Sequence, residues 1–189
     1  MKTVIDNIHE IIINKSRFIC LIYNIQDVLL VPSKLEEIKN KYVGATHYCY
    51  AYIINNHEKS SDDGEPSGTA GLPILNVLKK EHLDDVLCVV VRYFGGIKLG
   101  AGGLIRAYSK ACKESLIITT LKEGYIIELT FNYNNIREID YLINETIIIY
   151  KKFDLNPSYK IKITKEKYEQ ISKRLNTLSN IKIIDSIYI

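Results

Sequence analysis

Glycine is distributed unevenly along this chain, and that distribution constrains the fold more than any other feature. Nine of the ten glycines lie between Gly44 and Gly103, and only Gly124 follows. A residue without Cβ permits turns and close backbone approaches that other residues avoid. The sequence therefore predicts an irregular, motif-bearing domain over residues 1–121 and a regular domain over residues 122–189.

The second domain shows a clean change between two hydrophobic periods. Residues 125–133 alternate with the period of a strand, and the apolar positions at 136–143 then follow the period of a helix. Two further strands, a helix and a final strand follow. The predicted order is β-α-β-β-α-β, the ferredoxin-like arrangement. No catalytic motif is present in this half, which is typical of a scaffold or docking module.

The first domain is predicted to be α+β. Residues 87–94 are almost continuously apolar, which predicts a strand in the centre of its sheet. Ser33, with Glu36 three residues later, has the spacing of a helix N-cap. The predicted strands are Ile8–Ile13, Arg17–Tyr23, His47–Ile54 and Leu87–Phe94, and the predicted helices are Ser33–Tyr42, Ile74–Lys80 and Leu104–Leu116.

Composition excludes several classes of protein. The net charge is only +3, from 25 basic and 22 acidic residues, which argues against specific DNA binding through a strongly basic surface. No apolar run approaches the roughly 18 residues that span a bilayer, so no membrane partner is expected. The cysteines form no C-x-x-C pair and lie in apolar stretches, which favours core thiols in a reducing, cytoplasmic location. They are Cys20, Cys49, Cys88 and Cys112.

The segment 55–66 is rich in acidic and turn-forming residues, and a long polar turn is predicted there. Asp62, Asp63 and Glu65 have the hard oxygen ligands that Mg²⁺ or Ca²⁺ prefers. The order of a calcium loop and an H-E-x-x-H motif are both missing. A solvated or internally hydrogen-bonded turn is therefore favoured over a metal site. A small metal-dependent hydrolase, with His47 as its base, remains an alternative.

Residues 89–110 read as a strand, a glycine loop and a helix, the context in which backbone N–H groups bind an anion. The loop contains Gly95, Gly96, Gly100, Gly102 and Gly103. Ala101 stands where a P-loop needs its lysine, and Ile105 stands where a dinucleotide motif needs its third glycine. The sequence therefore implies an anion site without a nucleotide cofactor.

Basic residues gather around this loop and predict contacts with phosphates. Those assigned to phosphate contact are Lys98, Arg106, Lys110 and Lys113, and those assigned to a cleft wall are Arg92 and Tyr93. The same cleft is expected to be bordered by His47, Asp62, Asp63, Glu65, Gly68 and Thr69. A tight glycine turn beside an ordinary solvated helix face is the alternative interpretation.

Two long motifs resemble the signature of the YigZ/IMPACT family. They are SDDGEPSGTAGLPIL at residues 61–75 and VVRYFGGIKLGAGGLIRAY at residues 90–108. KSRF at 15–18 and ATHYCYAY at 45–52 resemble that family's N-terminal landmarks. The resemblance covers Lys15 to about Leu121 and departs at Leu72, where some relatives carry a basic residue.

The resemblance implies a fold and a function. The N-terminal domain is expected to belong to the ribosomal-protein-like βαβ superfamily, related to the fourth domain of elongation factor G, and the C-terminal domain to resemble the fifth. The resemblance also implies a link to translation. Joined to the strand, glycine loop and basic helix, it leads to the hypothesis of a cytoplasmic, non-enzymatic protein that binds RNA or the ribosome and modulates translation. A translation factor or regulatory protein is a further expected partner. A pure protein-docking module is the other alternative.

Overall fold

A computed structural model describes residues 1–189 of this chain. The chain divides into two compact units, one formed by Lys2–Thr120 and the other by Leu121–Ile189 with Met1. Both contain helices and antiparallel sheets, so the predicted two-domain α+β organisation is confirmed. None of the helices combines the length and the apolar composition that crossing a bilayer requires.

The first unit is built on a five-stranded antiparallel sheet in the order β2-β3-β6-β4-β5. A small two-stranded sheet joins β1 to β7. The strands are β1 (Lys2–Val4), β2 (Asn7–Ile13), β3 (Ser16–Asn24), β4 (His47–Ile54), β5 (His57–Ser61), β6 (Val86–Tyr93) and β7 (Ile118–Thr120), and the helices are α1 (Val31–Lys41), α2 (Gly71–Lys80) and α3 (Gly100–Ser115).

Both faces of this sheet are covered, which explains the apolar composition of β6. Ile74 on α2 and Leu104 on α3 pack with Val90 on one face. Ile38 on α1 packs with Val89 on the other. Because successive strand residues point to opposite faces, a strand buried on both sides needs apolar residues throughout. The predicted central position of this strand is confirmed.

The predicted start of α1 at Ser33 is wrong. The helix begins at Val31, directly after a short 3₁₀ turn whose N-cap is Asp27. The Asp27 carboxylate accepts a hydrogen bond from the Leu29 N–H, while the Ser33 hydroxyl donates to the Leu30 carbonyl within the first turn. Pro32 is placed where its missing N–H costs little, so the chain enters the helix earlier than the serine suggests.

The predicted long turn at 55–66 is also wrong in its first half. Residues His57–Ser61 form β5, which pairs with β4 as a hairpin. Asn55 and Asn56 make the connection with φ angles of 49° and 62°, which asparagine tolerates better than most residues. The strand was hidden from sequence because it is a polar edge strand with little apolar alternation.

The second unit follows the predicted order of elements. Its antiparallel sheet has the order β11-β8-β10-β9, and one of its faces packs on two helices around Ile127, Ile161 and Leu175. The other face carries no helix of this unit. The elements are β8 (Glu123–Phe131), α4 (Ile136–Leu142), β9 (Ile147–Phe153), β10 (Pro157–Thr164), α5 (Lys165–Leu178) and β11 (Ser179–Tyr188).

Candidate functional site

A cleft of about 430 Å³ opens in the first unit where β4 and β6 meet the start of α3. This volume falls within the range of small-ligand sites. Its wall combines charged groups with apolar side chains. The lining residues are Thr46, His47, Glu65, Pro66, Arg92, Phe94, Lys98, Leu99, Gly100, Ala101 and Leu104.

The glycine loop brings the start of α3 to this cleft. A Cβ on Gly95 would lie 2.0 Å from the Lys15 carbonyl carbon, so only glycine lets β6 leave the sheet so close to the β2–β3 turn. The helix begins at Gly100, four residues before the predicted start at Leu104. No side chain caps it, so its first N–H groups are available beside the cleft.

A buried polar cluster forms the floor of the cleft. Arg92 donates from Nη1 to Glu65 Oε1 over 2.5 Å, and the Tyr108 hydroxyl donates to the same oxygen over 2.8 Å. Burial, together with the nearby Cys49 and Glu65, raises the pKa of Tyr108 well above its ordinary value. The tyrosine therefore stays protonated and keeps its role as a donor.

Arg92 is only 5% exposed and its guanidinium is incompletely paired. Its Nη2 lies 3.5 Å from the Ser16 hydroxyl, and the group lies over the rings of Phe18 and Phe94. The Nε atom is buried and has no hydrogen-bond partner. A buried donor without a partner is costly, so this part of the guanidinium destabilises the folded state.

His47 is held in one orientation by the backbone. Its Nδ1 lies 2.8 Å from the Asp63 carbonyl oxygen, which can only accept, so Nδ1 carries the proton. In the neutral ring, Nε2 is then left as the free acceptor. That atom lies 3.9 Å from Glu65 Oε2, at the wall of the cleft.

The acidic loop is held by its own backbone. The Asp62 carboxylate accepts hydrogen bonds from the N–H groups of Gly68, Ala70 and Gly71, at 2.8, 3.0 and 2.8 Å. Burial acts to raise the pKa of Asp62, but these hydrogen bonds outweigh it and hold the pKa below its ordinary value. The Thr69 hydroxyl donates to the Pro66 carbonyl and closes the same turn.

The three carboxylates considered as metal ligands accept hydrogen bonds from different partners. Asp62 accepts from the loop N–H groups, Asp63 from the Tyr48 N–H, and Glu65 from Arg92 and Tyr108. No group of three or more His, Cys, Asp or Glu side chains is placed to hold a metal ion. Their arrangement is that of an internally hydrogen-bonded loop.

The six residues assigned to phosphate contact and the cleft wall do not form one site. Arg92 and Lys98 line the cleft. Tyr93 lies on the opposite face of the sheet, because neighbouring strand residues alternate. Its hydroxyl donates to the Val43 carbonyl, and Arg17 lies over its ring.

The remaining cations lie farther along α3. Arg106 is exposed, and Lys110 and Lys113 line a separate depression between α2 and α3. Lys110 also lies 3.8 Å from Glu114. Lys113 is about 20 Å along the helix axis from Gly100, at 1.5 Å per residue. The early start of α3 thus separates these lysines from the cleft.

Sequence reasoning missed six of the residues that line the cleft, and two of them, Thr46 and Phe94, are joined by a hydrogen bond. The Thr46 hydroxyl accepts a hydrogen bond from the Phe94 N–H over 3.0 Å, and its own N–H donates to the Arg92 carbonyl. Phe94 lines the cleft and is 45% exposed. Phe94 is an aromatic residue that follows a buried strand and precedes a Gly-Gly pair. That position was the sequence signal that could have indicated its place in the cleft.

These features define a two-domain α+β protein with a glycine loop that opens a cleft at the start of a helix. The sequence model of the Impact N-terminal domain matches residues 14–116, which is more than half of the chain. The chain belongs to the IMPACT family, so the resemblance found in the sequence is confirmed.

Two curated relatives and one solved structure show the extent of the similarity. The IMPACT family member YvyE of Bacillus subtilis is 40% identical over 91% of this chain and 83% of its own length. The IMPACT family member YigZ of Escherichia coli is 35% identical over 70% of this chain and 69% of its own. A crystal structure of a hypothetical protein matches with a TM-score of 0.63 and 27% identity, and the match covers 97% of each chain.

Proposed function

We propose that this protein is a cytoplasmic, non-enzymatic protein that binds RNA or the ribosome and modulates translation. The observation that carries the proposal is a cleft that is lined by Arg92 and Lys98 and that also receives the uncapped start of α3. Two basic side chains and the uncapped first turn of α3 therefore meet at one cavity. A phosphate group of RNA is an acceptor that suits both.

The charge of the cleft also favours an anion. The Arg92 and Glu65 charges offset each other as a buried ion pair. Lys98 forms no ion pair, and the N-terminal end of α3 adds partial positive charge. The excess is positive and local, which agrees with a protein whose net charge is only +3.

The proposed domain relationships point to translation as well. The Lys2–Thr120 unit would belong to the ribosomal-protein-like βαβ superfamily, with the fourth domain of elongation factor G as a relative. The β-α-β-β-α-β unit, with strand order β11-β8-β10-β9, has the ferredoxin-like topology and would resemble the fifth domain. Domains of this kind suit a protein that contacts the ribosome or a regulatory protein of translation.

Co-sedimentation with ribosomes at moderate salt tests the proposal. We expect the full-length protein to pellet with ribosomes and to be released as salt rises, because contacts with phosphates release counterions. Treatment with ribonuclease distinguishes contact with RNA from docking on a protein partner. A protein that stays in the supernatant at every salt concentration, and that binds no isolated RNA, would contradict the proposal.

A further inference from the structure

Basic side chains of the second unit fall into two groups. Five of them form ion pairs with acidic residues: Lys122, Lys151, Lys165, Lys167 and Arg174. Four lysines on the strands form none, and they are Lys152, Lys160, Lys162 and Lys182. The two remaining unpaired cations, Arg137 and Lys173, lie on the helices.

The strand register places the four unpaired lysines on one face of the sheet. Lys160 lies opposite both Glu128 and Tyr150, and Lys182 also lies opposite Glu128. Lys162 is two residues from Lys160 on the central strand β10, and Lys152 lies opposite Ser158. Residues that oppose each other across antiparallel strands share a face.

That face is the one without helices. Tyr159, Ile161 and Ile163 alternate with these lysines along β10 and pack into the core with the helices. The lysines therefore project on the other side, and all four side chains are half-buried or exposed. Lys152, Lys160, Lys162 and Lys182 define this surface, the open sheet face.

The open sheet face has excess positive charge. Its acidic residues are Glu128 and Asp185, both placed there by the register of β8 with its neighbours. The Glu128 carboxylate accepts a hydrogen bond from the Tyr150 hydroxyl. Four lysines against two carboxylates leave a face that attracts anions, and no acid of the unit is paired with those lysines.

The spacing of the lysines suits an extended polyanion. Residues two apart on a strand are separated by about 7 Å, and neighbouring strands by about 4.8 Å. The lysines lie on three of the four strands, so their charges spread across the sheet. A four-stranded sheet that carries an aromatic ring, here Tyr150 with Lys152 Nζ 5.1 Å from the ring centroid, is suited to single-stranded RNA, whose bases are free to stack.

We propose that the open sheet face is a second RNA-binding surface, specific for single-stranded RNA. The inference rests on the proposed function, because it gives RNA a contact outside the cleft. The open sheet face uses residues of the second unit and none of the cleft, so this inference can fail while the proposal for the cleft holds. An acidic protein surface is the competing occupant, and the test separates the two.

The test uses the full-length chain and a fluorescent, unstructured oligouridylate. In one variant Lys160→Glu is combined with Lys162→Glu. The matched control combines Arg137→Glu with Lys173→Glu, which makes the same change of charge on the helical side. We expect the sheet variant to bind at least about tenfold more weakly and the control to stay within about twofold of the wild type. Circular dichroism melting verifies that each variant is folded.

A milder pair of substitutions keeps the test decisive if the sheet variant does not fold. Lys160→Gln with Lys162→Gln removes two contacts, and the slope of log affinity against log salt should fall by about 1.4, or 0.7 for each contact with a single strand.

Four outcomes would overturn the inference. Three concern RNA: an unchanged salt slope in the glutamine variant, a loss of affinity in the control equal to that in the sheet variant, and no binding of oligouridylate by the wild type. The fourth concerns polyglutamate, which represents an acidic protein surface: the sheet variant would lose as much affinity for polyglutamate as for RNA. Loss of RNA affinity in Lys98→Glu but in neither sheet variant would overturn this inference and leave the cleft proposal standing.

Discussion

Arg92 and Glu65 form a buried ion pair that ties the acidic loop to the central strand. Nη1 of Arg92 lies 2.5 Å from Oε1 of Glu65, and their side chains are 6% and 4% exposed. The two residues are separated by 27 positions in the chain. Each comes from one of the two long motifs, so the pair joins these motifs at the wall of the cleft.

Breaking this pair should destabilise the protein strongly. Glu65→Gln preserves the shape of the side chain but leaves the Arg92 charge buried and unpaired, which costs about 3–5 kcal/mol. Adding Arg92→Met should recover part of the loss, so a double-mutant cycle should give a favourable coupling energy. Urea unfolding measures the free energy of unfolding of all three variants.

The control is Lys165→Gln in the exposed pair with Glu123, where a cost of about 0–1 kcal/mol is expected. Equal losses of unfolding free energy in Glu65→Gln and Lys165→Gln would contradict the prediction.

Asp62 should make stability depend on pH in the acid range. Asp62→Asn removes the charge that three N–H groups favour, and the free energy of unfolding should fall by about 1–3 kcal/mol at neutral pH. The folded-state pKa lies below the unfolded value of about 3.9. The stabilisation is therefore present above that value and is lost as the pH falls through the folded-state pKa. Urea unfolding of both proteins between neutral and acid pH measures the difference, with Asp154→Asn as an exposed control. If the difference in unfolding free energy between the wild type and Asp62→Asn stays constant down to strongly acid pH, the predicted pH dependence is contradicted.

Two glycines of the same loop should respond in opposite ways to alanine. A Cβ at position 95 would overlap the backbone of Lys15 and Ser16 at 2.0–2.4 Å, so Gly95→Ala should cost more than about 3 kcal/mol. A Cβ on Gly102 meets only the end of the Arg106 side chain at 3.6 Å. Gly102→Ala should therefore stabilise the helix by about 0.5–1 kcal/mol. Thermal melting measures the change in Tm for each variant. Similar changes in Gly95→Ala and Gly102→Ala would contradict the predicted overlap at Gly95.

None of the four cysteines should react in the native protein. All are buried and free, and burial raises the pKa of the Cys49 thiol to about 12. The thiolate is the reactive form, so Cys49 presents almost no nucleophile at neutral pH, and burial keeps the reagent from all four sulfur atoms. Iodoacetamide followed by mass spectrometry should find no adduct on the folded chain and four in denaturant. Rapid labelling of Cys49 under native conditions would contradict this burial.

The fold was largely predictable because hydrophobic periodicity dominates it. The continuous apolar run of β6 predicted the central strand, and the alternation in the second domain predicted its order of elements. The predictions that were wrong concern features that polar residues determine. The polar edge strand β5 lacks an apolar alternation, and the start of α1 depends on Asp27 and Pro32 rather than on Ser33.

The candidate site was only partly predictable, because the sequence does not reveal which cations share a surface. Arg92 and Lys98 reach the cleft, but Tyr93 points to the other face of the sheet. Lys110 and Lys113 follow α3 away from its start. The pairing of Arg92 with Glu65 was also out of reach, since nothing in the local sequence links two residues so far apart.

Binding of RNA by the cleft is the central claim, and the most direct test compares two charge reversals in the first unit. Lys98 lines the cleft, and Lys59 is an exposed, unpaired lysine on β5 outside it. Ribosome co-sedimentation and RNA binding are measured for Lys98→Glu and Lys59→Glu across a range of salt concentrations. We expect Lys98→Glu to lose at least about tenfold in affinity and to reduce the salt slope by about 0.7–0.9, while Lys59→Glu behaves like the wild type. Equal binding by both variants, with the same salt slope as the wild type, would contradict the account.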